Sequence, residues 1–171
     1  METQGTDRAK SRTPTIDDLV ALCNELNKYG VNYVVIGGFA VIYHGIHRGT
    51  EDIDLLVDPS PENIGKAQQA LVNVLPDKVA KDTSSDAVEK YGTIRIADEI
   101  FVDLRKETCK VTYKDAGIEH YLYKGVDIPI VDLPTLIRTK QSVRPKDKLD
   151  LSELEDMLKY GQKENLLKPE A

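Results

Sequence analysis

Three aspartates carry the chemistry that this sequence is able to do. Asp52 and Asp54 stand two apart in Thr50-Glu51-Asp52-Ile53-Asp54-Leu55-Leu56-Val57, and Asp103 stands in Ile100-Phe101-Val102-Asp103-Leu104. A strand sends alternate side chains to opposite faces, so Asp52 and Asp54 project together while Ile53 and Leu55 enter the core. Two carboxylates side by side against apolar surroundings are costly unless a counter-charge is near. A divalent cation supplies that charge, and hard oxygen ligands suit Mg2+ or Mn2+. In the second segment Val102 and Leu104 pack inward, leaving Asp103 on the other face with Phe101 and Arg105. With the two strands adjacent, three carboxylates converge, the layout for two metal ions about 3.5–4 Å apart at a phosphoryl displacement. Taken singly, each acid is also what a strand end or an exposed edge carries; it is their combination that favours a site.

A second feature precedes them. Tyr33-Val34-Val35-Ile36 is a β-branched run that stops at Gly37-Gly38, and a strand ending in two glycines before a helix lets backbone N–H groups approach phosphate oxygens. The commonest role of such a pair is simply a tight turn. The sequence has neither G-x-x-x-x-G-K-[ST] nor G-x-G-x-x-G, which excludes the two best-known glycine loops for nucleotides. His44 and His47 lie close by in sequence and are expected to pack or face solvent, since two-metal chemistry needs no histidine. Asp58, before Pro59, reads as a turn residue.

The stretch Arg138 to Lys148 holds five basic side chains against one acid. Two readings stand side by side: a helix end whose cations suit the dipole, or a phosphate-contacting patch with Lys140 as its best candidate, then Arg144 and Lys146. Asp147 and Asp150 are expected to start a helix or to form salt bridges. With a net charge of −6 over 171 residues, the chain as a whole is a poor general nucleic-acid binder, because phosphate neutralisation dominates that affinity.

The elements that must position these residues follow from periodicity. Thr15 caps a helix, with Asp18 three residues on, and Ile16, Leu19, Val20, Cys23 and Leu26 mark its buried face up to Gly30. Strands are expected at 33–36 and 53–57, with a short helix opening at Phe39. Ser60-Pro61 starts another helix, with Ile64, Ala67, Ala70, Leu71 and Val74 on one face. Residues 76–90 read as a loop with about one helical turn, followed by paired strands at 93–96 and 100–104. A further strand pair spans Tyr121 to Val131 about Gly125, and helices cover 133–141 and 149–160. The expected organisation is a mobile tail at 1–14, one α+β domain at 15–162 with a short mixed sheet flanked by helices, and a C-terminal tail at 163–171. A 40% hydrophobic share is ordinary for a soluble domain. No run reaches the roughly 20 apolar residues of a membrane span. Cys23 and Cys109 form no C-x-x-C motif, and with no secretory signal in view the expected location is cytoplasmic.

The ordered set of an apolar strand, Gly37-Gly38, a 13-residue gap, Asp52-x-Asp54 and a later strand aspartate resembles the nucleotidyltransferase superfamily, the polymerase-β-like fold. Arg48-x-Thr50-x-Asp52-Ile53-Asp54, with Val131-Asp132-Leu133-x-x-Leu136-Ile137-x-x-Lys140 and Arg144-Pro145-Lys146-Asp147-x-x-Asp150-Leu151, is similar to its small bacterial branch. That branch includes the nucleotidyltransferase toxins of toxin–antitoxin and abortive-infection systems. The resemblance implies that Gly37 and Gly38 contact a triphosphate and that Asp52 and Asp54 ligate two Mg2+ or Mn2+ ions. It implies that Asp103 ligates one ion and helps deprotonate an acceptor, and that Arg48 and Thr50 lie near the phosphates. An acceptor hydroxyl would attack the α-phosphorus of an NTP and pyrophosphate would leave. The acceptor stays open between tRNA, protein and small molecule, as does completion of the site by a second copy or an antitoxin. The rival expectation is a non-catalytic nucleotide-binding or interaction module on the same fold.

Overall fold

A computed structural model describes residues 11–161 and 164–167. Helix α1 (Ile16–Lys28) begins at the expected capping box: the Thr15 N–H donates to Asp18 Oδ2 at 2.7 Å, and the Asp18 N–H donates to Thr15 Oγ1 at 3.3 Å. It ends before Gly30, whose φ of +67° reverses the chain. Strand β1 (Tyr33–Ile36) is buried along its whole length and runs directly into helix α2 (Gly37–Tyr43). The helix thus opens two residues earlier than the apolar pattern predicts. Gly37, at φ +67°, turns the chain within one residue, so no separate turn intervenes.

Strand β2 (Asp52–Val57) is followed by α3 (Pro61–Val74), where Ser60 Oγ accepts from the Asn63 N–H and Pro61 sits at the first helical position. The stretch expected to be a loop with one helical turn holds two: a 3-10 turn at Val79–Asp82 and helix α4 (Ala87–Tyr91). Strands β3 (Thr93–Ala97) and β4 (Phe101–Arg105) form the expected hairpin. A two-residue hairpin not foreseen from sequence, β5 (Glu107–Thr108) with β6 (Val111–Thr112), turns through Cys109 and Lys110, both at positive φ. Strands β7 (Ile118–Tyr123) and β8 (Val126–Val131) then pair about Lys124-Gly125, both also at positive φ, the conformation that a two-residue hairpin turn needs.

Helix α5 (Leu133–Thr139) is capped by Asp132, whose Oδ1 accepts from the Thr135 N–H at 2.9 Å. Helix α6 (Pro145–Tyr160) starts four residues before the expected Leu149. The first turn is polar and so has no apolar periodicity to announce it, but Pro145 is pre-set for a helix start.

Six strands form one mixed sheet in the order β3-β4-β2-β1-β8-β7, with β2–β4 and β1–β8 parallel and the other pairs antiparallel. Leu19, Leu22 and Leu26 of α1, Ile64 and Leu71 of α3, and Ile53 and Leu55 of β2 belong to one buried cluster. Each contributes about 1.5–3 kcal/mol by leaving water. Ile53 and Leu55 therefore anchor the strand from which Asp52 and Asp54 project on the other face. Among the described residues no helix is long and apolar enough to cross a membrane.

Residues 1–10, 162–163 and 168–171 lie outside the described residues, and they take in most of both expected tails. Arg12 donates from its backbone to Glu99 O at 2.8 Å and pairs through its guanidinium with Asp18. Leu167 is buried, and its carbonyl accepts from Tyr121 Oη at 3.0 Å.

Candidate active site

Neighbouring strands set one line of residues across the sheet. Ile36, the last residue of β1, lies opposite Asp54, Asp54 opposite Asp103, and Asp103 opposite Arg95. Two residues back along β2, Asp52 lies opposite Phe101. The parallel pairing of β2 with β4 thus performs the convergence that the sequence required: one carboxylate oxygen from each of Asp52, Asp54 and Asp103 lies within 4.8 Å of the others. Asp103 is almost fully buried and the other two are partly so. Three anionic oxygen donors this close together, with no softer ligand, fit a divalent cation of the Mg2+ or Mn2+ kind.

Two arginines share the carboxylates. Arg95 Nε donates to Asp103 Oδ1 at 2.8 Å, and Nη2 donates both to Asp103 Oδ2 at 2.8 Å and to Asp52 Oδ2 at 3.0 Å. Arg105 Nε donates to Asp54 Oδ1 at 3.1 Å, while its Nη2 lies 3.5 Å from Asp103 Oδ2. Two guanidiniums against three acids leave the cluster one positive charge short. Burial, then the charge of Asp52, pushes the Asp54 carboxyl up to about 6. Asp52 is raised as well, by burial and then by Asp103, against the pull of Arg95, Arg105 and Lys146. For Asp103 burial also acts upward, but hydrogen bonds and charge from Arg95, with Arg105, outweigh it and hold the group below the usual carboxylate range.

The glycines prove to be matters of space. A Cβ on Gly37 would lie 2.5 Å from Asp54 Oδ2 and 2.8 Å from Asp54 Cβ, so Asp54 packs directly on the bare backbone at the β1–α2 corner. A Cβ on Gly38 would lie 2.4 Å from Thr50 Oγ1, and that hydroxyl donates to Asp52 O at 2.9 Å. Gly38 and Thr50 thus pack against each other at the start of β2.

Of the five basic side chains in the run, Lys140 and Arg144 are spent on acids of α6. Lys140 is buried and lies 3.2 Å from Asp150 and 3.4 Å from Asp147. Arg48 pairs with Asp150 from the other side. Arg144 and Ser142 both donate to Asp147. Lys140 still borders a small cavity of about 30 Å3 with Gly37, Asp54, Arg105 and Arg144, whereas Arg48 lines a separate groove with Lys146 and Leu149. Of the residues singled out from sequence, the fold therefore groups Gly37, Asp52, Asp54 and Asp103, with Lys140 at the rim. Gly38 and Thr50 pack on each other, and Arg48 is turned toward α6. His44 is buried, with Nε2 at 2.8 Å from Val131 O, which is a packing role. Asp58 Oδ1 accepts from the Ser60 N–H in its turn.

Sequence reasoning missed the arginines as members of the site. Arg105 is two residues from Asp103 and so on its face, and Arg95 alternates with the apolar Ile94 and Ile96. The signal was a cation on the same strand face as the acid. Only the strand order makes it decisive for Arg95.

The fold is similar to that of the lincosamide antibiotic adenylyltransferase LnuA in its lincomycin-bound crystal structure, with a TM-score of 0.51 at 14% identity, over 85% of this chain and 99% of that one. It is also similar to an antigenic nucleotidyltransferase-like protein from Paracoccidioides brasiliensis, with a TM-score of 0.53 at 14% identity, over 84% of this chain and 76% of that one. No curated protein matches the chain by sequence. Residues 20–164 match the family described as nucleotidyl transferase AbiEii toxin, Type IV TA system. That span holds all of the site and most of the sheet and helices, and the chain belongs to this family of nucleotidyltransferase toxins.

Proposed function

We propose that the chain is a metal-dependent nucleotidyltransferase that moves a nucleoside monophosphate from an NTP to an acceptor hydroxyl with release of pyrophosphate. The observation that carries this reading is the convergence of Asp52, Asp54 and Asp103 within 4.8 Å beside a corner where no side chain fits at Gly37. Membership of a nucleotidyl transferase family supports the reaction class. Asp52 and Asp54 would hold two Mg2+ or Mn2+ ions and Asp103 one of them, and the bound ions would stabilise charge on the attacking and leaving oxygens. Gly37 and Gly38, with Asp54 and Thr50 filling the space beside them, would offer backbone N–H groups to the triphosphate at the β1–α2 corner. Lys140, at the rim of the cavity beside Asp54, offers it a cation, while Arg48 and Thr50 lie further out. Asp103 orients the acceptor hydroxyl and takes its proton as the new oxygen–phosphorus bond forms and the bond to pyrophosphate breaks. Holding the reactants in this relation, with charge already arranged around them, supplies most of the rate.

The acceptor belongs to one of three classes: a tRNA, a protein side chain or a small molecule. An antitoxin is the partner that the family description suggests. A second reading, a non-catalytic nucleotide-binding or interaction module, draws on one observation: Arg95 and Arg105 already neutralise much of the triad. Melting curves separate the two. The enzyme reading expects an NTP to raise the melting temperature only with Mg2+ present, and expects Asp54→Asn to abolish that rise. A rise that needs no Mg2+ and survives Asp54→Asn supports the module instead.

A further inference from the structure

Arg95 is placed where a cation bridging Asp52 and Asp103 belongs. Its Nη2 lies 3.0 Å from Asp52 Oδ2 and 2.8 Å from Asp103 Oδ2, with Nε 2.8 Å from the other Asp103 oxygen. The two arginines of the site are not equivalent. Arg105 stands on β4 itself, two residues from Asp103, and its side chain is 27% exposed. Arg95 stands on β3, the edge strand of the sheet, and its side chain is 48% exposed. On its solvent side lies a pocket of about 280 Å3 lined by Ser11, Arg12, Thr13, Glu51, Asp52 and Phe101. The guanidinium carbon is 5.1 Å from the centre of the Phe101 ring, so an aromatic face is already at hand for the cation when it leaves the acids.

We infer that Arg95 is a removable counter-ion: it fills the bridge between Asp52 and Asp103 in the metal-free protein, and a divalent cation binds these carboxylates by displacing it toward Phe101 and the adjoining pocket. This rests on the proposed metal site. Arg95 already takes both oxygens of Asp103 and Asp52 Oδ2 at 2.8–3.0 Å, so a metal ion drawn to the same carboxylates meets a like charge on the oxygens it must share. The displaced guanidinium then stands at the mouth of a pocket that opens beside Asp52, where it meets whatever enters there. Arg95 acts through the carboxylates and is in this sense a positioning residue. It keeps Asp52 and the buried Asp103 tolerable before the metal arrives and gives them up when it does.

The test is a titration of the full chain with Mn2+ alone, followed by calorimetry or by the loss of the free-ion signal in electron paramagnetic resonance. Removing a competing cation strengthens metal binding, whereas removing a purely structural residue weakens it. Arg95→Gln is expected to bind Mn2+ about ten-fold more tightly than the wild type, the scale of one strong charge-assisted hydrogen-bonded pair. Arg95→Lys, which keeps a charge but loses the bidentate fork, is expected to fall between the two. If the glutamine variant fails to fold, the lysine variant decides alone. Equal or weaker Mn2+ binding by the folded variants, beside measurable binding by the wild type, overturns the role given to Arg95 and leaves the metal site standing. Absence of Mn2+ binding in every protein overturns both.

Discussion

At the scale of single residues, the site is a set of acids held apart in their affinity for protons. Asp103, clasped by Arg95, stays ionised well into acid, while Asp54, buried beside Asp52, takes a proton at about 6. A carboxyl whose folded pKa lies above its unfolded value stabilises the protein when protonated, and this contribution is lost as pH rises through the folded pKa. The metal-free wild type therefore carries a penalty at Asp54 above pH 6 that Asp54→Asn does not carry. In chelator, Asp54→Asn is expected to melt higher than the wild type at pH 7.5, with the gap closing as pH falls toward the ordinary carboxylate range. Melting curves across that range check it, and a gap that widens on acidification contradicts the assignment. Gly37 belongs to the same scale: its bare backbone is what lets Asp54 sit against the corner.

At the scale of elements, the site depends on which strands are neighbours. The sequence carried the β2 alternation, the acid-bearing face of β4, the β3–β4 hairpin and the capping of α1 and α3, because each is a local pattern written in periodicity or cap chemistry. It did not carry the parallel pairing of β2 with β4, which is a long-range choice. For that reason Arg95 passed unnoticed although its alternation with Ile94 and Ile96 was in plain view. The small β5–β6 hairpin was missed because two-residue strands have no period to read. The early start of α6 was missed because its first turn is polar. That polar turn proves to be structural: Asp147 and Asp150 meet Lys140 below the surface, and Arg48 joins Asp150 from the loop before β2. The network thus ties α6 and the end of α5 to the strand that bears Asp52 and Asp54. Breaking one member of a buried ion network costs several kcal/mol, less when other cations stay behind. Lys140→Ala, with Arg48 and Arg144 remaining, is expected to lower unfolding free energy by about 2–3 kcal/mol in urea. Wild-type stability in this variant would show that the pairs contribute nothing to holding α6.

At the scale of the whole molecule, an acidic chain sets five of its 23 basic side chains on or near the three carboxylates. The net charge of −6 argued against general nucleic-acid binding, yet Arg95, Arg105, Lys140, Arg144 and Lys146 all lie on or near the carboxylate face. That arrangement suits a triphosphate and its counter-ions, and it leaves the acceptor to be found by experiment. Nucleotidyl transfer at Asp52, Asp54 and Asp103 is read out directly by label transfer. The protein is incubated with Mg2+, a cell extract and each of the four NTPs, labelled in turn at the α- and the γ-phosphate. One or more α-labelled NTPs are expected to pass label to RNA, protein or a small molecule while γ-label leaves in pyrophosphate. Chelator or Asp54→Asn is expected to stop the transfer. Transfer of γ-label to the acceptor, equal transfer by Asp54→Asn, or no transfer from any NTP would contradict nucleotidyl transfer at these residues.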